Sequence, residues 1–281
     1  MVQSNNTPPP TLPLDIDSVK VEERWIKRHL NDSNCSLSLG EKIQSGTSLL
    51  TLSNLVTPEE IDYVVQASLE AAEANANRQT DDQDTEEQDR QVYTRTPYLV
   101  NQGHVYTRMP VQNAAKRHDA TDALPEPLSQ KLEEIFERAL SFIDDQLCPS
   151  LRETLFGADV ESLAELFRTD QIDFSLREPA INVYRAPSGH FGMHKDDKDL
   201  TILIPLSDPS SDFTGGGTAF WSQKHPQQGQ HDPSLTLIPA AGTGILFGGR
   251  VSHKGMHIHS GTRVVFVTSF SRLRREGEEK E

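Results

Sequence analysis

The stretch GHFGMHKDDKDLTILIPLS, residues 189–207, joins a histidine and a carboxylate to an apolar segment. His194 and Asp196 form the only His-x-Asp pair in the chain. In a strand, residues i and i+2 project from the same face, so this pair can present an imidazole nitrogen and a carboxylate oxygen to a single ion. The apolar run TILIPL that follows indicates a buried strand. The pattern fits a metal site, but it also fits an ordinary strand end, and the rest of the chain decides between them.

Short β-rich segments surround this stretch and alternate with Gly, Pro, Asp and Ser. They are AINVYRA (180–186), DLTILIPLS (199–207), GGTAFWS (216–222), SLTLIPA (234–240), GTGILFGG (242–249) and TRVVFVTSF (262–270). Strands at this spacing indicate an all-β sandwich or barrel of the jelly-roll kind. We expect this core to span residues 172–275 and a charged tail to follow over 276–281.

The chain before residue 172 has a different character and is expected to divide into two parts. Residues 1–25 are rich in Pro, Ser and Asn and are predicted to be disordered. Residues 26–171 hold a strand, LLTLSN, and amphipathic helices, including a long one over 124–147. A polar, acidic segment within them, 75–91, is predicted to be a mobile loop. The predicted class is therefore α+β, with supporting N-terminal helices packed against the jelly-roll core.

Two local signals refine this N-terminal region. The run Thr57-Pro58-Glu59-Glu60 combines an N-cap threonine, a proline at the first helical position and a glutamate at the third, which predicts a helix start. The hexapeptides VYTRTP (92–97) and VYTRMP (105–110) suit β structure. We interpret Arg95 and Arg108 within them as structural or rim charges.

Composition excludes several classes of protein. The net charge of −15 disfavours non-specific binding to nucleic acid or to anionic membranes. The two cysteines, Cys35 and Cys148, provide neither a disulfide framework nor a cysteine-based zinc site. The N-terminus lacks the features of a signal peptide, and no apolar run approaches the length of a membrane span. We therefore expect a soluble protein of the cytoplasm or nucleus.

Two ligands leave a metal site incomplete, and the segment SHKGMHIHSGTRVVF offers three candidates for a third, His253, His257 and His259. Two histidines and one carboxylate on one face of an octahedron form the facial triad of non-haem Fe(II) oxygenases, which leaves three coordination positions open. From the residues alone, the choice among the three histidines stays open.

Together these elements resemble the Fe(II)- and 2-oxoglutarate-dependent dioxygenases, and among them the catalytic domain of the prolyl 4-hydroxylases. The family motif is H-x-D on a core strand, a G-G-x-T-x-F strand, and a histidine followed by glycine eight positions later and by arginine or lysine ten positions later. This chain has His194-Lys195-Asp196, a loose match at 216–220, and His253 with Gly261 and Arg263 at that spacing. The resemblance covers about 172–272, and it implies His253 as the third ligand.

The resemblance also implies a double-stranded β-helix (jelly-roll) core and a specific chemistry. The protein would hydroxylate an unactivated C–H bond, of a peptidyl residue such as proline or of a small molecule, and release succinate and CO2. It would use Fe(II), 2-oxoglutarate as co-substrate and O2, with ascorbate as a reductant. His194, Asp196 and His253 would be the metal ligands and the catalytic residues. Arg263, facing inward on the last strand, would bind the distal carboxylate of 2-oxoglutarate.

The chain departs from the family at Phe191, where the family often has a tyrosine whose hydroxyl binds that distal carboxylate. Tyr184, ten residues before the first ligand, and Thr201 are the candidates to replace this hydroxyl. The pattern R-x-N-x-T-x-R of the nucleic-acid-repair relatives is missing from RVVFVTSF, which argues against a nucleic-acid substrate. The alternative hypothesis is a non-catalytic binding module of the same fold, and the sequence does not specify an oligomeric state.

Overall fold

A computed structural model of the chain describes residues 8–9, 18–26, 36–81, 106–117, 122–222 and 232–273. The helices within these ranges are α1 (Leu39–Gln44), α2 (Pro58–Asp81), α3 (Gln112–Arg117), α4 (Glu126–Gln146), α5 (Pro149–Phe156) and α6 (Leu163–Arg168). The strands are β1 (Lys20–Trp25), β2 (Ser48–Ser53), β3 (Thr107–Pro110), β4 (Ile172–Phe174), β5 (Ala180–Arg185), β6 (Phe191–His194), β7 (Leu200–Pro205), β8 (Phe213–Gly215), β9 (Thr218–Trp221), β10 (Leu235–Leu237), β11 (Gly244–Gly248), β12 (Ser252–Gly255) and β13 (Ile258–Arg272). No helix of this described part is both long and apolar enough to cross a bilayer.

The strands form a large and a small antiparallel sheet. The large sheet runs in the order β1-β2-β11-β7-β13-β5-β3, and β4 and β8 also pair with β13. The small sheet runs in the order β10-β9-β12-β6. From β5 to β7, and again from β11 to β13, the chain passes from the large sheet to the small one and back. This winding between two sheets confirms the predicted jelly-roll core.

Alternation along the strands of the large sheet creates its two apolar faces. On β13, Val264 and Phe266 belong to the core on the helical side of the sheet, whereas Val265 belongs to the core that the two sheets share. Leu203 on β7 faces the small sheet in the same way, between Ile202 and Ile204 on the other face. The helices therefore cover one face of the large sheet, and the small sheet covers the other.

The start of α2 confirms the helix signal read from the sequence. The Thr57 hydroxyl accepts from the Glu60 N–H at 3.3 Å, and the Glu60 carboxylate accepts from the Thr57 N–H at 3.2 Å, which is a capping box. Glu60 is buried, and both of its oxygens also accept hydrogen bonds from Arg138 on α4, at 2.7 and 2.6 Å. One carboxylate thus caps α2 and ties it to α4.

Two predicted segment boundaries are wrong. Residues 20–25, predicted to be disordered, form β1, a highly charged and mostly exposed strand at the edge of the large sheet. The predicted loop at 75–91 is helical at its start, because α2 continues to Asp81. The remainder of that segment, the hexapeptide at 92–97 and the tail at 276–281 lie outside the described residues.

Candidate metal centre and its cavity

The structure brings His194, Asp196 and His253 together between the two sheets. His194 ends β6, and its backbone pairs directly with that of His253 on β12. One ligand atom from each of the three residues lies within 4.8 Å of the other two. The His194 Nε2 is 3.3 Å from the Asp196 Oδ1, and the His253 Nε2 is 3.8 Å from the Asp196 Oδ2. His253, rather than His257 or His259, is the histidine that completes the group.

Asp196 reaches this position by a route that strand alternation did not predict. It lies beyond the last residue of β6, and its backbone N–H donates to the Gly249 carbonyl at 2.8 Å. A Cβ at Gly249 would lie 2.0 Å from the carbonyl oxygen of Lys198, so only glycine fits at this crossing. The close approach of the two segments at Gly249 therefore sets the backbone that carries Asp196.

Backbone contacts fix the tautomer of both histidines. The Nδ1 of His194 lies 2.9 Å from the Gly192 carbonyl, and the Nδ1 of His253 lies 3.0 Å from the Val251 carbonyl. Because a carbonyl oxygen only accepts hydrogen bonds, each Nδ1 carries a hydrogen, and in the neutral form of the ring the lone pair is then on Nε2. Two imidazole nitrogens and a carboxylate oxygen thus converge on one region, and this set of donor atoms is suited to binding a cation.

The electrostatics keep these groups in the form that binds metal. Burial alone would raise the pKa of Asp196, but His253, His194 and a hydrogen bond from Thr201 lower it to about 2. Burial lowers the pKa of His253 to about 4, although Asp196 acts in the opposite direction. Near neutral pH the carboxylate is therefore ionised and His253 is neutral, which are the protonation states that a metal ion requires.

Arg263 faces the same cavity from β13. It is 2% exposed, its Nη1 donates to the Gly217 carbonyl at 3.1 Å, and its Nη2 donates to the Thr218 hydroxyl at 3.1 Å. Its Nε has no hydrogen-bond partner, and within the described part of the chain no carboxylate forms an ion pair with it. A buried guanidinium without a counter-ion is costly, so the arrangement fits an anionic ligand.

The cavity between the sheets contains the proposed ligands, Arg263 and a mixed apolar and polar wall. Its lining consists of Arg108, Glu178, Asn182, Tyr184, Phe191, His194, Asp196, Leu203, Thr218, His253, Gly255, Arg263, Val265 and Val267. Arg263, Val265 and Val267 share one face of β13, as strand alternation predicts. The apolar members limit the access of water to the polar ones.

Tyr184 lies beside Arg263, as one of the two candidates for the missing hydroxyl. The Cα atoms of the two residues pair across β5 and β13, and the guanidinium carbon lies 5.5 Å from the centre of the tyrosine ring. The Tyr184 hydroxyl accepts from the Asn182 side chain at 3.3 Å, which leaves its own hydrogen able to donate. Burial raises the pKa of Tyr184, so the phenol keeps that hydrogen.

Thr201, the other candidate, lies elsewhere. It pairs with Ser269 on β13, six residues beyond Arg263, and its hydroxyl donates to the Asp196 Oδ2. Six residues of strand span about 20 Å, so Thr201 is too far from Arg263 to bind the same carboxylate group of a ligand. The hydroxyl that does contact Arg263 belongs to Thr218, in the loosely matched G-G-x-T segment. Gly216, at a φ of +66°, helps to form the turn that places it there.

Sequence reasoning also missed a buried ion pair in the cavity wall. Arg108 donates to Glu178 at 3.1 Å and to Asn182 at 3.0 Å, so of the two interpretations, structural or rim charge, the structural one describes it. A signal was present in VYTRMP, because Arg108 alternates with Met109, which packs on the helical side of the sheet. A charged side chain on the opposite face of the strand had to point into the space between the sheets.

Comparisons with known proteins give matches among solved structures. No protein-family model matches the chain, and no curated protein matches it. It is similar to an oxidoreductase of the 2OG-Fe(II) oxygenase family from Burkholderia pseudomallei, with 21% identity and a TM-score of 0.36. That alignment covers 53% of this chain and 60% of the other, so the chain spans less than two thirds of that protein.

Two prolyl hydroxylase structures are similar over more of their length. One is the prolyl hydroxylase of Trichoplax adhaerens in complex with a hypoxia inducible factor peptide, with 11% identity, 78% and 81% coverage and a TM-score of 0.47. The other is a Pseudomonas putida prolyl-4-hydroxylase, with 14% identity, 79% and 91% coverage and a TM-score of 0.39.

Proposed function

We propose that the protein is an Fe(II)- and 2-oxoglutarate-dependent dioxygenase. It hydroxylates an unactivated C–H bond, of a peptidyl residue such as proline or of a small molecule, and releases succinate and CO2. One observation carries the proposal: a cavity between the two sheets holds a His-Asp-His group and, on the wall formed by β13, a buried arginine without a carboxylate partner among the described residues. The first fits a divalent metal ion, and the second fits the distal carboxylate of 2-oxoglutarate.

His194, Asp196 and His253 would hold Fe(II), since two neutral imidazoles and one carboxylate form the facial triad of that chemistry. When bound there together with 2-oxoglutarate, Fe(II) would supply the activation of O2 that is needed for oxidative decarboxylation of the co-substrate and for hydroxylation of the substrate C–H bond. The hydrogen bonds from each Nδ1 to a backbone carbonyl hold the two rings so that each Nε2 faces the metal position.

Arg263 would bind the distal carboxylate of 2-oxoglutarate, with Thr218 and Tyr184 as neighbouring hydroxyl groups. The planar guanidinium offers its donors in a fork that matches a carboxylate. Its position on a buried strand, with hydrogen bonds to the Gly217 carbonyl and the Thr218 hydroxyl, fixes the orientation of the guanidinium before the ligand binds. Leu203, Val265 and Val267 would exclude water from the co-substrate, which strengthens the ion pair.

Two further parts of the proposal concern partners. The net charge of −15 supports a protein or small-molecule substrate over nucleic acid or an anionic membrane. Ascorbate would serve as an external reductant that maintains Fe(II), and the protein would need no dedicated site for it.

The test is the formation of succinate from 2-oxoglutarate with Fe(II) and ascorbate, combined with calorimetric binding of 2-oxoglutarate in the presence of Mn(II). We expect both for the wild type, and loss of metal binding and turnover in His194→Ala, Asp196→Ala and His253→Ala. His259→Ala is the matched control, because His259 is an exposed histidine on β13 outside the metal group. Binding of metal and 2-oxoglutarate without succinate would support the non-catalytic module. Retained metal and activity in His253→Ala would refute the site.

A further inference from the structure

A buried chain of hydrogen bonds runs from Asp196 into the large sheet. The Thr201 hydroxyl contacts the Asp196 Oδ2 and also lies 3.1 Å from the Ser269 hydroxyl. The backbone N–H of Ser269 donates to Glu178, and Glu178 accepts from Arg108 at 3.1 Å. Thr201, Ser269 and Glu178 are all buried. The proposed roles of metal and co-substrate binding account for none of these four residues.

The direction of this chain follows from counting hydrogens. A carboxylate that ligates a metal ion carries no hydrogen and can only accept, so the single hydrogen of the Thr201 hydroxyl points to Asp196. Thr201 therefore has no hydrogen left for Ser269, and the Ser269 hydroxyl must donate to the Thr201 oxygen. The result is a relay in which Ser269 donates to Thr201 and Thr201 donates to Asp196.

The relay gives the two oxygens of Asp196 different tasks. Its Oδ2 accepts from Thr201, while its Oδ1 lies 3.3 Å from the Nε2 of His194. We propose that Thr201 is a positioning residue that restricts Asp196 to metal ligation through Oδ1 alone. This inference rests on the proposed function, in which two imidazoles and one carboxylate oxygen leave three coordination positions open. A carboxylate that ligated through both oxygens would take one of the positions that 2-oxoglutarate and O2 need.

The surrounding sheet holds the relay rigidly. Thr201 on β7 and Ser269 on β13 are directly paired residues of neighbouring strands, so the sheet fixes the backbone positions that bring their hydroxyls together. Glu178 fixes the Ser269 N–H, and Arg108 fixes Glu178 through a pair that is itself buried. A buried ion pair contributes little net free energy to folding, so we interpret the Arg108–Glu178 pair as a group that positions Ser269.

The test compares Thr201→Val, which removes the hydroxyl and keeps the shape, with Thr201→Ser, which keeps the hydroxyl. Thr268→Val is the matched control, because Thr268 is equally buried on β13 and its hydroxyl has no hydrogen-bond partner. Binding of Mn(II) and then of 2-oxoglutarate is measured by calorimetry, and the ligation of Asp196 is read from a crystal structure with Mn(II). These readouts do not depend on turnover or on the identity of the primary substrate.

We expect Thr201→Val to retain Mn(II) with both oxygens of Asp196 as ligands, and to bind 2-oxoglutarate about ten-fold or more weakly. Thr201→Ser and Thr268→Val should behave as the wild type. If Thr201→Val fails to fold, Ser269→Ala takes its place in the test. This variant removes the hydroxyl that donates to Thr201, so it should also weaken 2-oxoglutarate binding. Single-oxygen ligation and unchanged affinity in the variant would overturn the relay alone. A wild type that binds neither Mn(II) nor 2-oxoglutarate would overturn the proposed function as well.

Discussion

Replacement of Arg263 by methionine should separate co-substrate binding from metal binding. The side chain of methionine fills much of the same buried volume, but it offers no charge and no hydrogen-bond donor to a carboxylate. The three proposed metal ligands stand on other segments, β6, the turn after it and β12, so the substitution leaves their backbone supports unchanged. Arg263→Met should therefore retain Mn(II) with the affinity of the wild type.

The magnitude follows from the burial of Arg263. A carboxylate that loses its partner in a desolvated site loses about 2–5 kcal/mol of binding free energy. At about 1.4 kcal/mol for each factor of ten, this corresponds to a loss of 2-oxoglutarate affinity between about 30-fold and about 4,000-fold. Arg263→Lys should fall between wild type and Arg263→Met, because lysine restores the charge without the planar fork.

The metal-free protein should respond differently. Loss of Arg263 removes the hydrogen bonds to Gly217 and Thr218, which destabilises the fold, but it also removes a buried charge that has no counter-ion. The two effects oppose each other, so stability should change far less than co-substrate affinity. Calorimetry with 2-oxoglutarate at saturating Mn(II), together with urea unfolding of the metal-free protein, measures both quantities. Unchanged 2-oxoglutarate affinity in Arg263→Met, or loss of Mn(II) binding, would refute the assignment.

Three further outcomes are expected. Tyr184→Phe keeps the ring beside the guanidinium and removes the hydroxyl, so 2-oxoglutarate should bind about ten-fold more weakly in calorimetry. Unchanged binding would show that the Tyr184 hydroxyl does not replace the hydroxyl that is missing at Phe191. The pKa of His253 is about 4 in the folded chain against 6.5 for an ordinary histidine, so the unfolded chain takes up the proton first as the pH falls. Urea titrations of the metal-free protein should therefore show the free energy of unfolding decreasing by about 3 kcal/mol between pH 6.5 and pH 4. A profile that does not change over this range would contradict the burial of this ring. Arg138→Met leaves the buried Glu60 without its main partner and should cost about 3–5 kcal/mol in urea unfolding, whereas the exposed pair of Arg168 should contribute less than about 1 kcal/mol when that residue is replaced in the same way.

The sequence predicts those features of the fold that depend on local patterns. The continuous apolar runs in TILIPL and TRVVFVTSF identify the central strands β7 and β13, which are buried on both faces, and the capping box at Thr57 identifies the start of α2. Its errors are also local. The charged strand β1 lacks an apolar face of its own, so its pairing with β2 decides its conformation. The polar composition of 75–91 predicts a loop, but its first residues include Ala76, Arg78 and Gln79, which are good helix formers, and α2 extends through them.

The parts of the site that the sequence could not predict depend on contacts between distant segments. Arg108 meets Asn182 and Glu178 because β3 pairs with β5, seventy or more residues further along the chain. Thr201 reaches Asp196 and not Arg263 because its register on β13 places it beside Ser269. Residue type alone could not distinguish Thr201 from Thr218 as the neighbour of Arg263, since the distinction requires the register of both sheets.

β13 carries both the arginine and the serine of the relay, and their separation of six residues gives them a common orientation. Arg263, Val265, Val267 and Ser269 occupy every second position and therefore face the cavity together. An insertion of a single residue between Arg263 and Ser269 would turn one of them towards the helices while the other stayed in place. The length of this strand segment is therefore as tightly constrained as the identity of the residues on it, and engineered variants of the cavity should change its side chains and preserve its residue count.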